Sequence, residues 1–251
     1  MRDRYDAGFF RYLDTCAPGS AEVVVPLVRD LLRPNSVLDV GCGTGSWAAA
    51  WLRAGISDVV GVDGDYVPRE GLAIPGECFR AVNVAEPFRL GRQFDLVQCL
   101  EVAEHVSKGA AGTLMDSLVA HGQVILFSAA EPGQGGENHV NEQPLEYWRD
   151  KFAARGFVPF DLVRPAIRGH AQVAPWYRYN TLVYVHAGRC SGLPSAIGRC
   201  ALQTTGRIPR VSPVTWRVHL KAFATLPWPV VSWLATARRR LLSLRDPQRS
   251  R

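Results

Sequence analysis

The chain has 251 residues, 47% hydrophobic and 21% charged. That balance supports one substantial core with room for a small appendage, and it excludes a disordered or collagen-like protein. The net charge of +6 is unevenly placed: residues 189–251 hold twelve basic residues and one acid, Asp246, for +11, and the remainder is left at −5. The basic excess therefore belongs to a tail, which weakens a nucleic-acid reading for the site that the body carries. No apolar run reaches the about 18 residues of a membrane span, and the stretch MRDRYDAGFF has no apolar signal segment, so the expectation is a cytoplasmic chain. The six cysteines, Cys16, Cys42, Cys78, Cys99, Cys190 and Cys200, lie far apart with no CxxC pair. Reduced thiols fit this better than a disulfide framework or a cysteine zinc site.

Residues 1–35 read as a helical leader, with a helix over 21–32. From residue 36 to about 186, short β-branched runs alternate with segments of helical period. Strands are expected at 36–40, 58–62, 78–82, 94–99 and 123–127, with helices at 47–54 and 109–120 between them. Pro144 opens a further helix, LEYWRDKFAARGF, that Gly156 ends. The last two runs, 157–163 and 181–185, have no long helix between them and should pair as an antiparallel hairpin at the sheet edge. The sum is an α/β fold: a doubly wound, mostly parallel sheet of seven strands over 36–188. Beyond it, 189–251 form a basic helical extension split by Pro227 and Pro229. No internal repeat or low-complexity tract occurs.

The strongest local signal is VLDVGCGTGSW, residues 37–47: a strand, three alternate glycines and a helix start. Such glycines let the backbone turn sharply and approach a ligand closely, and the helix offers its N-terminal N–H groups. The dinucleotide fingerprint wants glycine at position 46, where this chain has Ser46, and an apolar residue where it has Asp39. A carboxylate there is unhelpful to a pyrophosphate and suits a ligand carrying an ammonium and a sulfonium. A nicotinamide-dependent dehydrogenase is thereby disfavoured.

The D-x-G-x-G-x-G stretch resembles the first motif of the class I S-adenosylmethionine (SAM) dependent methyltransferases, which have a Rossmann-like sheet, and the resemblance runs from about Tyr5 to His186. It implies SAM as cofactor and S-adenosylhomocysteine as product. Asp39, Gly41, Cys42, Gly43 and Gly45 would hold the methionine portion. In VVGVDGD, Asp63 falls at a strand end about twenty residues on and would accept the ribose hydroxyls, with Gly64 beside it. In CFRAVNVAEPF, Asn83 stands where the family generally has Asp; with Val84 it would meet the adenine through its amide oxygen. In FDLVQCLEVAEHV, Cys99 and Leu100 end a strand beneath the methionine. The HVNEQ-PxxYW region and WYRYN at 176–180 are similar to those of a bacterial group acting on small molecules of the sugar or natural-product type.

Methyl transfer from a sulfonium is an in-line displacement, so alignment comes first and a base helps a hydroxyl acceptor. Two histidines should lie near the carboxyl ends of the strands: His105, with Glu101 four residues earlier to hold it on a helical turn, and His139, in the loop GQGGENHVNEQP. Glu101, Glu104, His105 and His139 could be imagined as metal ligands, but no HExxH or close histidine pair occurs, so no metal is expected. Tyr147, Trp148, Trp176, Tyr177 and Tyr179 could line an acceptor pocket, and Tyr5, Phe9, Phe10 and Tyr12 could close over the cofactor as a lid.

The expected activity is methylation of a small molecule, most simply O-methylation of a hydroxyl. N-methylation, macromolecule methylation and a non-catalytic SAM-binding scaffold remain alternatives. The tail interleaves Trp216, Trp228 and Trp233 with Arg217, Lys221 and Arg238 to Arg240. It fits packing against the body or a second subunit in a homodimer, contact with a membrane surface, or binding to nucleic acid or an acidic carrier domain.

Overall fold

The computed structural model describes the backbone of residues 7–244 and the side chains of residues 15–237 apart from Trp228. Its strands are β1 (Ser36–Val40), β2 (Asp58–Asp63), β3 (Phe79–Ala81), β4 (Leu96–Leu100), β5 (Val124–Ser128), β6 (Phe157–Phe160) and β7 (Leu182–His186). They form one seven-stranded sheet in the order β3-β2-β1-β4-β5-β7-β6. The β1–β2, β1–β4, β2–β3 and β4–β5 pairs are parallel, and β7 runs antiparallel to both β5 and β6. The expected edge hairpin therefore forms with its second strand inside and its first strand outermost. β6 is shorter than the run 157–163: after Phe160 the chain leaves the sheet, the Asp161 N–H donates to the Cys200 carbonyl at 2.9 Å, and a short helix, α5 (Arg164–Ile167), begins.

Every residue of β4 and β5 is buried, as a sheet covered on both faces requires. One apolar layer joins the sheet to α1 (Ala7–Leu32) and α2 (Ser46–Arg53) through residues such as Val24, Val28, Trp47 and Trp51. The other joins it to α3 (Ala111–His121) and α4 (Leu145–Ala153) through Leu114, Met115, Leu118, Trp148 and Phe152. Helix α1 starts earlier than the period suggested and includes Pro18 and Pro26. Ala17, Ala21, Val24, Val25 and Val28 bury one of its faces in the core, so this helix is part of the wall of the sheet domain. The proposed aromatic lid falls on Tyr5 and on the side chains of Phe9, Phe10 and Tyr12, outside the described residues and side chains.

After β5 the remaining helices are α6 (Pro175–Asn180), α7 (Ala187–Cys190), α8 (Ser195–Gly198), α9 (Val214–Ala224) and α10 (Trp228–Leu244). The break between α9 and α10 falls at Pro227, as the prolines predict. The tail packs on the body: Ile208 is buried and its N–H donates to Glu146 Oε1 at 2.9 Å, and the Arg149 guanidinium donates to the Gly206 carbonyl. A Cβ built on Gly133 would stand 1.9 Å from the Leu220 carbonyl oxygen, so the loop after β5 lies directly against the α9 backbone. All six cysteines are free. Among the described residues, no helix is long and apolar enough to cross a membrane.

Candidate functional site

The strand order reverses at β1, flanked by β2 and β4, and the crevice beyond the carboxyl ends of such strands is where open α/β sheets bind ligands. Here β1 runs into Gly41, Gly43 and Gly45, with φ of +78°, +55° and +91°, values that side chains other than glycine rarely adopt. Gly41 has a second constraint, since a Cβ there would stand 2.3 Å from Val102 Cγ2. The N–H groups of Gly41 and Cys42 both donate to the Val62 carbonyl, at 2.8 and 3.1 Å, which ties the turn to β2. At the end of β2, Asp63 Oδ2 accepts from the Gly43 N–H at 2.7 Å, and Oδ1 accepts from the Gly64 N–H at 2.6 Å and the Tyr66 hydroxyl at 2.7 Å. Burial pushes the Asp63 carboxyl up, and these three donors work against it.

Asp39 lies beneath the turn. Its Oδ1 accepts from Gln98 Nε2 at 3.0 Å, and Gln98 Oε1 in turn accepts from Trp51 Nε1 at 3.0 Å. Oδ2 has no donor. Burial raises the carboxyl to about 7, the Gln98 hydrogen bond opposes this and the charge of Asp63 adds to it. A buried carboxylate oxygen without a donor suits a ligand that brings positive charge.

These groups border a cavity of about 810 Å³, large enough for a cofactor together with a small molecule. Gly41, Cys42, Gly43, Asp63, Gly64, Asn83, Val84 and Leu100 line it. Asp39, Gly45 and Cys99, expected beside the methionine, do not. Asp39 is buried behind the glycines, Gly45 packs on Ile74, and Cys99 faces the opposite side of β4 from Leu100 because strand side chains alternate. Asn83 reaches the wall, but its Oδ1 accepts from the Ala85 N–H at 3.2 Å and its Nδ2 donates to Glu86 Oε1 at 2.8 Å. The oxygen expected to meet the adenine is thus partly engaged in a local turn.

At the other end of the cavity the geometry departs further from expectation. Glu101 does not hold His105. It sits at φ +56°, followed by the single 3₁₀ turn Ala103–His105, so the helical i, i+4 relation is not formed. Its Oε2 accepts instead from Gln134 Nε2 at 2.6 Å, and Gln134 Oε1 accepts from Asn180 Nδ2 at 2.8 Å. The His105 and His139 rings meet edge to face, with centroids 4.9 Å apart. Burial, with the nearby His139, lowers His105 to about 3, and the Asn138 backbone opposes this, so His105 is neutral at physiological pH.

His139 is oriented by Glu142, whose Oε1 lies 2.8 Å from His139 Nδ1. That carboxylate also accepts the N–H groups of Gly133 and Gly135, both at 2.8 Å. Burial pushes Glu142 up, but the bond to His139, its charge and the two N–H groups outweigh this and leave the carboxyl below its ordinary value. The sequence reading passed over Glu142, although its spacing of three from His139 was visible. Gly136 leaves room for the imidazole: a Cβ there would stand 2.2 Å from His139 Nε2.

Glu104 was set aside together with the metal reading. It is wholly buried, and neither carboxylate oxygen meets a donor at hydrogen-bonding geometry. Burial, reinforced by Glu101, holds its carboxyl well above the ordinary range. One ligand atom each from Glu104, His105 and His139 lie within 4.8 Å of one another. The expectation of no metal rested on spacing along the chain, which does not register a histidine pair assembled from two loops.

The aromatic candidates divide. Trp176 and Tyr177 line the cavity, whereas Trp148 is a fully buried core residue and Tyr147 and Tyr179 are not on the wall. The tail supplies the missing side: Trp216, His219 and Phe223 of α9, and Val231, Leu234 and Ala235 of α10. Trp216 stacks on His219 with centroids 5.1 Å apart, and His219 Nε2 lies 3.3 Å from the Gln134 carbonyl.

Residues 18–161 match the family described as Methyltransferase domain. The chain belongs to that family. Its methyl donor is SAM, and the cavity fits that donor: glycines where a Cβ would intrude, Asp63 on the wall, and a donor-less Asp39 oxygen beneath. A ubiquinone biosynthesis O-methyltransferase of Neisseria meningitidis serogroup C (strain 053442) is 36% identical over 140 residues, 51% of this chain and 54% of the relative. The same-named protein of Pseudomonas paraeruginosa (strain DSM 24068 / PA7) is 36% identical over 89 residues, 32% and 37% of the two chains. This chain thus spans about half the length, or less, of the curated relatives it matches. Among solved structures, the sugar N-methyltransferase KedS8 from Streptoalloteichus sp ATCC 53650 superposes with a TM-score of 0.55 at 19% identity, covering 71% of this chain and 91% of that one. An O-methyltransferase family protein from Burkholderia thailandensis gives 0.52 at 15% identity, covering 74% and 59%. At these identities the likeness is one of fold.

Proposed function

We propose that the chain moves a methyl group from SAM to a hydroxyl of a small-molecule acceptor, of the sugar or natural-product type, with His139 as the base. The observation that carries this reading is the His139–Glu142 pair at the wall of a cavity whose other end is the glycine turn and Asp63. SAM supplies the electrophilic methyl carbon. Asp63, presented by Gly43, Gly64 and Tyr66, binds the ribose, and Asp39, in the charged form it takes as pH rises through about 7, sits behind the glycines as the countercharge to the methionine ammonium. With Nδ1 engaged by Glu142, Nε2 of His139 is the nitrogen that takes the acceptor proton, and the Glu142 carboxylate stabilises the imidazolium. His105, neutral throughout, shapes the acceptor side. The tail helices keep water from the polar end of the cavity.

The curated relatives are named for O-methylation and KedS8 for N-methylation of a sugar, which supports acceptors of this size while leaving oxygen against nitrogen to experiment. Screening hydroxylated and aminated sugars and aglycones with wild type and His139→Ala tests the proposal. Loss of turnover with an oxygen acceptor is expected. SAM binding with no turnover on any acceptor would favour a non-catalytic scaffold.

A second reading is favoured by the donor-less Glu104 carboxylate beside two imidazoles. Glu104, His105 and His139 would then hold a divalent cation, which acidifies a hydroxyl bound to it. Titration of the purified chain with Mg²⁺, Mn²⁺ and Zn²⁺ by calorimetry, repeated on Glu104→Gln, separates the two: saturable binding lost in the variant supports the cation, and no binding leaves His139 as the base.

A further inference from the structure

We propose that the outer face of helices α9 and α10 docks on an anionic lipid surface. Among the described residues the exposed large apolar side chains are Val140, Val214, Val218, Leu226, Val230, Trp233 and Leu234, so all but Val140 lie on this helical pair or its connection. Scattered exposed apolar residues are ordinary, but a cluster confined to one appendage marks a contact surface.

Helix α9 has two faces. Trp216, Leu220 and Phe223 point toward the body. Val214, Arg217, Val218 and Lys221, spaced i, i+3, i+4 and i+7, are all exposed and form one outward stripe of alternating apolar and cationic groups. On α10, Val230 and Trp233 are exposed, Trp233 by 66%, and neither lines the cavity; the sequence then runs into Arg238, Arg239 and Arg240. Neither Arg217 nor Lys221 pairs with a carboxylate among the described residues, and no acid occurs in the sequence between residues 189 and 245.

Among the described residues, no carboxylate neutralises the charge on this face. A lipid surface of negative charge complements it: the bilayer interface receives valine and tryptophan while its headgroups meet the cations. A purely apolar partner would leave Arg217 and Lys221 unsatisfied, and a nucleic acid offers nothing to the valines. The same two helices line the cavity on their inner side, so docking would set the cavity beside the membrane. One consequence, which rests on the methyl-transfer reading, is an amphipathic acceptor with its reacting hydroxyl toward His139 and its apolar part toward Phe223, Val231 and Leu234.

The test is co-sedimentation of the full chain with phosphatidylcholine vesicles and with vesicles that also contain phosphatidylglycerol. Wild type is expected to partition onto the mixed vesicles and only weakly onto phosphatidylcholine alone. Arg217→Gln and Lys221→Gln should each reduce partitioning about fivefold, and Val218→Glu with Trp233→Glu should abolish it. S-adenosylhomocysteine affinity, measured by calorimetry on each variant, should be unchanged, which establishes that the variants fold. No preference for the mixed vesicles, or partitioning indifferent to all four substitutions, overturns the proposal. So does a vesicle-free dimer that the same substitutions convert to monomer, because a second copy would then own the face. Vesicle binding by a wild type that fails to bind S-adenosylhomocysteine would leave the docking surface standing and remove the methyl-transfer reading.

Discussion

The two ends of the cavity are built in opposite ways. At the donor end, one turn and two strand ends within residues 39–66 supply the glycine cradle, Asp63 and Tyr66, and most of the hydrogen bonds join close neighbours or backbone groups. The other end, where the proposed acceptor would sit, draws Glu104 and His105 from the loop after β4, His139 and Glu142 from the loop after β5, Asn180 from α6, and Trp216 and Phe223 from the tail. A local site of backbone donors tolerates little variation in chain path. A site assembled from separate loops can change its acceptor by altering one loop while the sheet stays fixed.

That contrast can be broken at several points. The largest effect is expected from His139→Ala, which should lower kcat on an oxygen acceptor by about 10² to 10⁴, with SAM affinity unaltered. A loss below about tenfold would point to an amine acceptor, which needs less help from a base. Next, Gly41→Ala should cost stability by about 2–4 kcal/mol, since a side chain meets both a positive φ and the Val102 methyl groups. Chemical denaturation would measure it, and adding Val102→Ala should recover the steric part alone.

A further, pH-dependent effect concerns Asp39 and its raised value of about 7. In the folded state this carboxyl retains a proton that the unfolded chain has already lost, so its ionisation progressively costs stability from about pH 4 to pH 7, and the full cost persists above that. Asp39→Asn should therefore raise the ligand-free Tm more at pH 8 than at pH 4. It should also weaken SAM binding, and wild-type affinity should increase as pH rises through 7, where the Asp39 carboxylate becomes charged.

Legibility in the sequence followed the same divide. The strands and the hairpin were readable because β-branched runs and turn residues act locally, and β1, β2 and β5 appear within a residue or so of their expected bounds. The alternation of side chains in β4 also carried unused information: with Leu100 on the cavity wall, Cys99 had to face away. By contrast, the partner of His139 sits in a non-helical loop, where spacing gives no rule, and the Glu101–His105 pair failed because it presumed a helix that the chain does not make there. The stripe of Trp216, Leu220 and Phe223 was visible as a period, but what it covers depends on a contact with Gly133 far away in the chain.

Calorimetric titration with S-adenosylhomocysteine and NAD, on wild type and Asp63→Ala, tests the donor site on which the whole account stands. Micromolar binding of the adenosyl ligand, lost by about a hundredfold or more in the variant as its charged hydrogen bonds to the ribose disappear, is the predicted result. Binding of NAD alone, or adenosyl binding indifferent to Asp63, would contradict it.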